Sequence, residues 1–476
     1  MDYWGNYDYF TLLECNHKTI FDSIHGVIEL SNFAIEIIDT KIFQRLRYIK
    51  QLGTCNFIYH NAVHTRFEHS IGTYHVAGEF LKYLIKNSKE NDLSLQYVEE
   101  LKTYYSNREL ITYACCDDVN TNFKINSYLD NYIIELIKIA ALCHDLGHGP
   151  FSHIFDDVFI NNTNAQNSEY AKHENRSCLL LRNIINSNQL LKQSISPEHI
   201  DFMCNLINPS DKHVGYIYQI ISNNYNNIDV DKFDYITRDS KVLGINIAFD
   251  YLRMLESVKV IDNNICYNKQ TIFDIINLFS SRHYLHKQVY NHHGVISAQN
   301  IINNILLLLN EKLKISDNIK NNNLNEFIDL TDDYILFIAK TYDKTYILYE
   351  QLIDKHKLYT LIDEIVTINE STITINKILE MYELNNYSEK IDKNKLIIIK
   401  NKIGYINKSK INPLENIYVY NKHTNLSQKS SSLEEITKLL PTNFQEYITL
   451  IYYICDDIKN KEIINNIRSC VSKFIV

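Results

Sequence analysis

The chain has few residues that bend it, cross-link it or carry it across a membrane. Of 476 residues only 11 are glycine and 5 proline, which excludes collagen-like and turn-dominated folds. Its 10 cysteines form no CxxC pair; Cys115 and Cys116 are adjacent and the others are scattered. That excludes a disulfide framework and fits reduced thiols inside a cell, cytoplasmic or nuclear. A basic excess is missing too. The net charge of −9 argues against a general nucleic-acid binder, though not against a local basic pocket for one phosphorylated small molecule. The longest apolar run, 305–309, is too short to span a bilayer, so no membrane partner is expected. The acidic, aromatic start MDYWGNYDYF has neither the basic nor the apolar region of a signal peptide.

What remains is ordinary globular composition, 45% hydrophobic and 22% charged, in a chain long enough for a large core. Apolar residues recur at helical spacing, so a mainly α protein is expected. Residues 40–52 read as a helix with Phe43, Leu46 and Ile49 on one face, Asp39-Thr40 at its start and Gly53 at its end. Residues 69–84 place Gly72, Val76, Phe80 and Leu84 on one face, 133–144 is apolar enough to be buried, and 297–313 is a further long helix. Residues 88–131 are polar and weakly periodic, which suggests an insertion between two core helices. Asn-rich runs at 161–167, 223–227 and 318–325 read as surface loops. Beyond about residue 320, β-branched runs at 365–368, 372–375 and 396–399 suggest strands. The division expected is a helical core over 1–320 and a smaller α+β lobe over 321–476.

The chemistry concentrates in Ala141-Leu142-Cys143-His144-Asp145-Leu146-Gly147-His148-Gly149-Pro150-Phe151-Ser152-His153. Imidazole nitrogen and carboxylate oxygen both suit a borderline divalent metal. His69, in Arg66-Phe67-Glu68-His69-Ser70, and Asp231, in Asp229-Val230-Asp231-Lys232-Phe233-Asp234-Tyr235, complete a set of four. Such a set suits Fe, Mn, Zn or Ni. Any single histidine of the 18 is more often a surface or capped residue than a ligand. Four candidates, each in a helical context, outweigh that.

These residues and their order resemble the HD-domain phosphohydrolases. More narrowly, the chain is similar to the SAM and HD domain-containing deoxynucleoside triphosphate triphosphohydrolases. The motifs are Ile24-His25-Gly26 with Glu29-Leu30, Ile38-Asp39-Thr40, the 43–53 run, Arg66-Phe67-Glu68-His69-Ser70, the His-Asp stretch, Lys172-His173-Glu174, 229–239, and Arg282 through Tyr290 to His292. The resemblance implies an HD-domain helical core that begins near the chain's start, with no SAM domain before it. It also implies a regulatory or oligomerisation role for the C-terminal lobe.

The resemblance further implies a dGTPase-like reaction yielding deoxynucleoside and inorganic triphosphate. His69, His144, Asp145 and Asp231 would hold a metal that polarises the α-phosphate and acidifies a water. His153 would protonate the departing O5′, with Asp156 orienting its ring if the helix continues. His148 and His173 would contact phosphate oxygens, Glu174 orienting one of them. Arg66, Lys232 and Arg282 would bind the polyphosphate, which arrives with Mg. Tyr235 and Tyr290 would close off the C2′ face, Gln51 and Asp239 would bind the 3′-hydroxyl, and Leu52 and Asn291 would lie near sugar or base. Lys18, Asp39, Gln44 and Arg47 match a guanine-nucleotide activator site, for GTP or dGTP, and the resemblance, whose animal member is a tetramer, implies a homo-oligomer, dimer or tetramer. At the adjacent deoxynucleotide activator site Asp250 and Arg253 are present. Asn268 and Gln270 stand there where the family has basic residues, Asp274 replaces an asparagine and His293 a lysine, so altered activation is expected. The competing expectations are another HD phosphohydrolase, such as a phosphodiesterase, and a nucleotide-sensing or nucleic-acid-binding scaffold with vestigial catalysis.

Overall fold

A computed structural model describes residues 18–107, 128–354, 359–406, 412–421, 427–429, 442–454 and 461–474, and the fold is mainly α. Two short strands, β1 (Lys18–Asp22) and β2 (Gly26–Leu30), form an antiparallel hairpin that leads into helix α1 (Asn32–Ile38), capped by Ser31. The longest helix, α2 (Arg66–Asn87), starts at a capping box in which Glu68 reaches back to the Thr65 amide. Its Gly72, Val76, Phe80 and Leu84 are buried as the spacing requires. Helix α3 (Asn131–Cys143) is capped by Asp130 and is apolar almost all round, so it runs through the core. Helices α4 (His173–Ser187), α5 (Pro197–Ile207) and α6 (Val230–Leu243) follow, α6 starting on the Asp229 side chain and ending at the left-handed Gly244. Helix α7 (Ile272–Leu285) packs on α6, and α8 (His293–Leu313) begins four residues earlier than periodicity suggested.

The helix expected over 40–52 is broken. One turn, Lys41–Gln44, tightens into a 3-10 turn at Arg45–Tyr48, and Ile49 is already extended. The cause is tertiary: the Ile49 carbonyl accepts from Arg66 N (2.9 Å), Lys50 bridges Thr65, and Gln51 N donates to the His64 carbonyl (3.0 Å). Pairing with the segment before α2 takes the backbone groups that a longer helix would have used. The 223–227 run is a loop whose tip, Asn224 and Tyr225, is exposed, but it is anchored from within. Asn223 and Asn226 are buried and bond each other, with Asn223 Nδ2 donating to Asn226 Oδ1 (2.7 Å), and the Asn223 amide donates to the cap residue Asp229. The region 88–131 contributes Leu93, Leu95, Val98, Leu101 and Leu129 to the main core, so its described parts are integral; residues 108–127 lie outside the described residues.

Helices α9 (Asp332–Thr341) and α10 (Asp343–Ile353) pack on α8. A sheet with order β3-β4-β7-β8 joins Lys259–Ile261, Asn264–Asn268, Tyr418–Tyr420 and Ser427–Lys429. A second has order β5-β9-β6, with β5 (Thr360–Thr367) and β6 (Leu396–Gly404) antiparallel to the central β9 (Gln445–Tyr453). The expected strands at 365–368 and 396–399 fall in β5 and β6. The run at 372–375 is no strand: Thr374 caps a helix, Ile375–Leu384. β-Branching alone does not separate an N-cap from a strand. One apolar cluster extends from Ile28 to Tyr452, and a smaller one lies between β5, β6, β9 and the terminal helix Lys461–Ser472. Among the described residues no helix is long and apolar enough to cross a membrane.

The contact of α2 with α6 depends on one missing methyl. A Cβ on Gly72 would lie 1.9 Å from Asp234 Oδ1 and 2.4 Å from Arg238 Nη2. Gly72→Ala should therefore lower the unfolding free energy by about 3 kcal/mol, measured by denaturant titration. Gly78→Ala, six residues along the same helix with 3.5 Å to its nearest neighbour, should raise it by roughly 0.5–1 kcal/mol. Equal effects at the two positions would show that the close approach carries no energy.

Candidate active site

Three helices converge on one point. His69 comes from the first turns of α2, and Asp231 from the second position of α6. His144 caps α3 and Asp145 follows in the turn, so the pair lies just past the helix end. His69 Nε2 is 3.2 Å from Asp231 Oδ1 and 3.4 Å from Asp145 Oδ2, and His144 Nε2 is 3.3 Å from Asp145 Oδ1 and 3.6 Å from Asp231 Oδ1. Both imidazoles are turned the same way. His69 Nδ1 is bonded to Asp234 Oδ2 (2.7 Å) and His144 Nδ1 to the Ala141 carbonyl (2.7 Å). Acceptors at both Nδ1 atoms require Nδ1–H there and leave the Nε2 lone pairs facing inward. Both Nε2 atoms are buried and make no hydrogen bond. Two orphaned imidazole nitrogens facing two carboxylates suit a borderline divalent ion.

The electrostatics are organised the same way. Burial alone would raise the Asp145 carboxyl; Arg66, His144 and His148 together hold it well below the usual carboxylate range. Asp234 is likewise held low against burial, by Arg238, His25 and His69. Burial opposes charging His69, but Asp231 and Asp234 raise it above an ordinary imidazole.

A second histidine group adjoins the first. His148 Nε2 is 3.3 Å from Asp145 Oδ1, and its Nδ1 is 2.6 Å from Asp156 Oδ2. His148 and His173 stack at 3.8 Å, and His173 Nδ1 is 3.5 Å from Glu174. Asp156 does not orient His153. It is clamped by Arg176 and His148, while the neighbour of His153 is Asp157, at 3.6 Å. The reason is the π-helical turn Ile154–Phe159, entered through left-handed Phe151 (φ 62°) and Ser152 (φ 57°), which turns Asp156 inward. The His153 side chain is 65% exposed and its ring lies 5.1 Å from that of His148.

The residues assigned to polyphosphate and sugar lie around this centre. Arg66 is buried; it bonds Asp145 and Ser152 Oγ (2.9 Å), and its Nη2 has no partner. Lys232 Nζ is 2.9 Å from Asp229, and Arg282 donates to the Gly404 carbonyl (2.6 Å). Tyr235 lies within electrostatic reach of Arg282, Lys232 and Asp231. Tyr290 donates to Asp239 (2.6 Å), whose other oxygen meets His64 (2.8 Å). Gln51 is buried with its Oε1 unpartnered, Leu52 packs on the core just before left-handed Gly53, and Asn291 accepts from Asn401 of β6 (2.8 Å).

The activator-site candidates sit at the surface in pairs. Lys18 meets Asp39 (3.0 Å) and Arg47 donates to Gln44 (2.8 Å). Asp250 caps a short helix, and Arg253 lies 3.5 Å from Asp274, one of the substituted positions. Asn268 caps a turn at Gln270, and His293 packs on His292.

Asp234, His64, Ser152, Arg176 and Arg238 were not singled out by sequence. Asp234 and Arg238 were findable from the i+3 and i+7 positions after Asp231, which share its helix face.

Because Asp156 is depressed in the fold, its contribution is present above the unfolded value near pH 4 and is lost as pH falls through the folded value. Asp156→Asn should cost about 3 kcal/mol at pH 7, and the gap to wild type should narrow below about pH 4 in urea titrations. A gap that widens in acid would reject the Arg176 pairing.

A model of the HD domain matches residues 124–225. The chain is 40% identical over 336 residues to the putative HD domain-containing protein L394 of Acanthamoeba polyphaga mimivirus, covering 70% of this chain and 65% of that one. It is 31% identical over 435 residues to the deoxynucleoside triphosphate triphosphohydrolase SAMHD1 homolog of Dictyostelium discoideum, covering 90% of this chain and 76% of that protein. It is 35% identical over 299 residues to human deoxynucleoside triphosphate triphosphohydrolase SAMHD1, covering 58% of this chain and 42% of the human protein. The match thus spans less than two thirds of the mimiviral and human relatives and about three quarters of the amoebal one. With three helices delivering His69, His144, Asp145 and Asp231 to one point, and with these relatives, the chain belongs to the SAMHD1-like family of HD-domain proteins.

Proposed function

We propose that this chain hydrolyses deoxynucleoside triphosphates to the deoxynucleoside and inorganic triphosphate, the substrate arriving with Mg. The observation that carries the proposal is the pair of inward-facing, unbonded Nε2 atoms of His69 and His144 opposite Asp145 and Asp231, bordered by histidines and buried cations. A divalent transition metal held by these four residues would supply Lewis acidity and an acidified water.

The remaining work falls to side chains. Lys232, Arg282 and the free Nη2 of Arg66 receive the polyphosphate, and His148 and His173 meet phosphate oxygens, with Glu174 beside His173. Water oxygen bonds to the α-phosphorus, the bond to O5′ breaks, and His153 delivers the proton that O5′ requires. A polyanion beside His153 favours its charged form. Tyr235 and Tyr290 close the C2′ face, which disfavours a ribose hydroxyl, while Gln51 and Asp239 take the 3′-hydroxyl and Asn291 lies near the base. At the surface, Lys18, Asp39, Gln44 and Arg47 would take a guanine-nucleotide activator, GTP or dGTP. The Arg253–Asp274 pair supports a weakened second site, since it sets a carboxylate beside the cation that a phosphate would meet. The region 321–476 would serve regulation or assembly of a homo-oligomer.

The test is incubation with each dNTP and rNTP, Mg²⁺ or Mn²⁺, with and without GTP, and identification of products. Deoxynucleoside and triphosphate are expected; monophosphate and pyrophosphate would reject the proposal. His144→Ala should abolish both turnover and bound transition metal. His153→Ala should keep the metal and lose roughly 10²–10⁴-fold in kcat.

A further inference from the structure

Asp332 stands at the start of α9, far along the chain from residues 50–52 and 151–153, yet its carboxylate reaches both of these site segments. It is fully buried, at 0% exposure. Oδ1 accepts from Phe151 N (2.7 Å) and Oδ2 from Lys50 N (3.0 Å), with Lys50 Nζ 4.0 Å away. The 50–52 segment carries Gln51 and Leu52; the 151–153 segment carries His153. The two touch backbone to backbone, since a Cβ on Gly53 would lie 2.8 Å from the Phe151 carbonyl oxygen. Ser152 Oγ closes the ring by donating to the Lys50 carbonyl (2.7 Å), and it accepts from Arg66, which bonds Asp145.

The ring matters because Phe151 and Ser152 are both left-handed, at φ 62° and 57°. Two successive non-glycine residues there are unfavourable and persist only where surrounding bonds over-determine them. The bond from Phe151 N to Asp332 is one of those restraints, and it lies two residues before His153. Burial raises the Asp332 carboxyl to about 6, against the bonds from the Lys50 and Phe151 amides, so this carboxylate is kept in the core at a cost.

We infer that Asp332 is a positioning residue: it fixes the 151–153 turn against the 50–52 segment and so aims His153 at the leaving group. The inference rests on the role proposed for His153. Asp332→Asn keeps the shape but sets an amide N–H against one of the two backbone donors. We expect kcat on a dNTP to fall roughly 10- to 100-fold with little change in bound metal. On a dNTP whose bridging 5′ oxygen is sulfur, a leaving group that needs no proton, variant and wild type should differ less than about threefold. His153→Ala should show the same split, and the double variant should be no slower than His153→Ala alone.

A second readout is independent of turnover. Hydrogen exchange of peptides covering 49–53 and 149–154 should quicken at least about tenfold in Asp332→Asn, with α3 unchanged. Faster exchange in a protein whose wild type hydrolyses no dNTP would reject the proposed function and leave the restraint standing. Unchanged exchange, or equal loss on oxygen- and sulfur-bridged substrates, would overturn the inference. If Asp332→Asn does not fold, Ser152→Ala opens the same ring at its other hydrogen bond and must show the same split, or the inference fails.

Discussion

Three carboxylates that aim histidines in this protein are each held by a buried arginine. Among the described residues the three largest fully buried side chains are Arg66, Arg176 and Arg238. Arg66 holds Asp145, which faces His69, His144 and His148. Arg176 holds Asp156, which bonds His148, and Arg238 holds Asp234, which bonds His69 and His25. A carboxylate in a core neutralises itself unless a cation keeps it charged. In each case the arginine is the foremost charge that holds the carboxyl low against burial, and losing it would weaken the hold on the ring nitrogen. The placement of His69 and His148 therefore depends on three buried ion pairs. Their value lies in orientation more than in stability, since a buried ion pair gains little over an apolar replacement and costs several kcal/mol to break.

The same economy joins the C-terminal part of the chain to the site. Arg45 donates to the carbonyls of Leu146 and His148 and also to that of Leu330, while its guanidinium lies over the Phe327 ring. Arg282 holds the last carbonyl of β6, Asn291 bonds Asn401 of the same strand, and Tyr452 of β9 donates to the His293 carbonyl. Residues after 320 are thus bonded to the turn after α3 and to the segment of Arg282 and Asn291. A movement of the β5-β9-β6 sheet would have to break or carry those bonds.

How far the sequence revealed this follows from what kind of signal each feature leaves. The apolar rows of α2, α3 and α8 are periodic, so these helices were readable, as was the mainly α class. The grouping of His69, His144, Asp145 and Asp231 was readable because each falls in a dense local motif. The break at Ile49 was not, because its cause is pairing with residues 64–66, and periodicity carries no information about distant partners. Asn223 and Asn226 look like loop residues by composition, and only their mutual bonds make them a buried turn. Asp156 was matched to His153 on the assumption of α spacing, and the π turn broke that assumption. Arg176 and Arg238 had no local mark beyond their helix positions, since a buried arginine is recognised by its partner.

The hairpin at the start of the described chain shows what such pairing transmits. Lys18 and Asp22 are the two ends of β1. Lys18 faces solvent with Asp39, whereas Asp22 is buried on Arg238 (2.8 Å) and takes the amides of Ile24 and His25. Arg238 also grips Asp234, and Asp234 fixes both His25 and His69. Between a surface cation and the imidazole of His69 there is thus one five-residue strand and a fully bonded set of four charged or polar side chains. A set without slack cannot absorb a shift of β1 by rearranging, because every alternative leaves a buried charge unpaired. A shift imposed on Lys18 and Asp39 must either stop at the hairpin backbone or reach Asp234, and the closeness of Gly72 to that carboxylate leaves it no room to move toward α2.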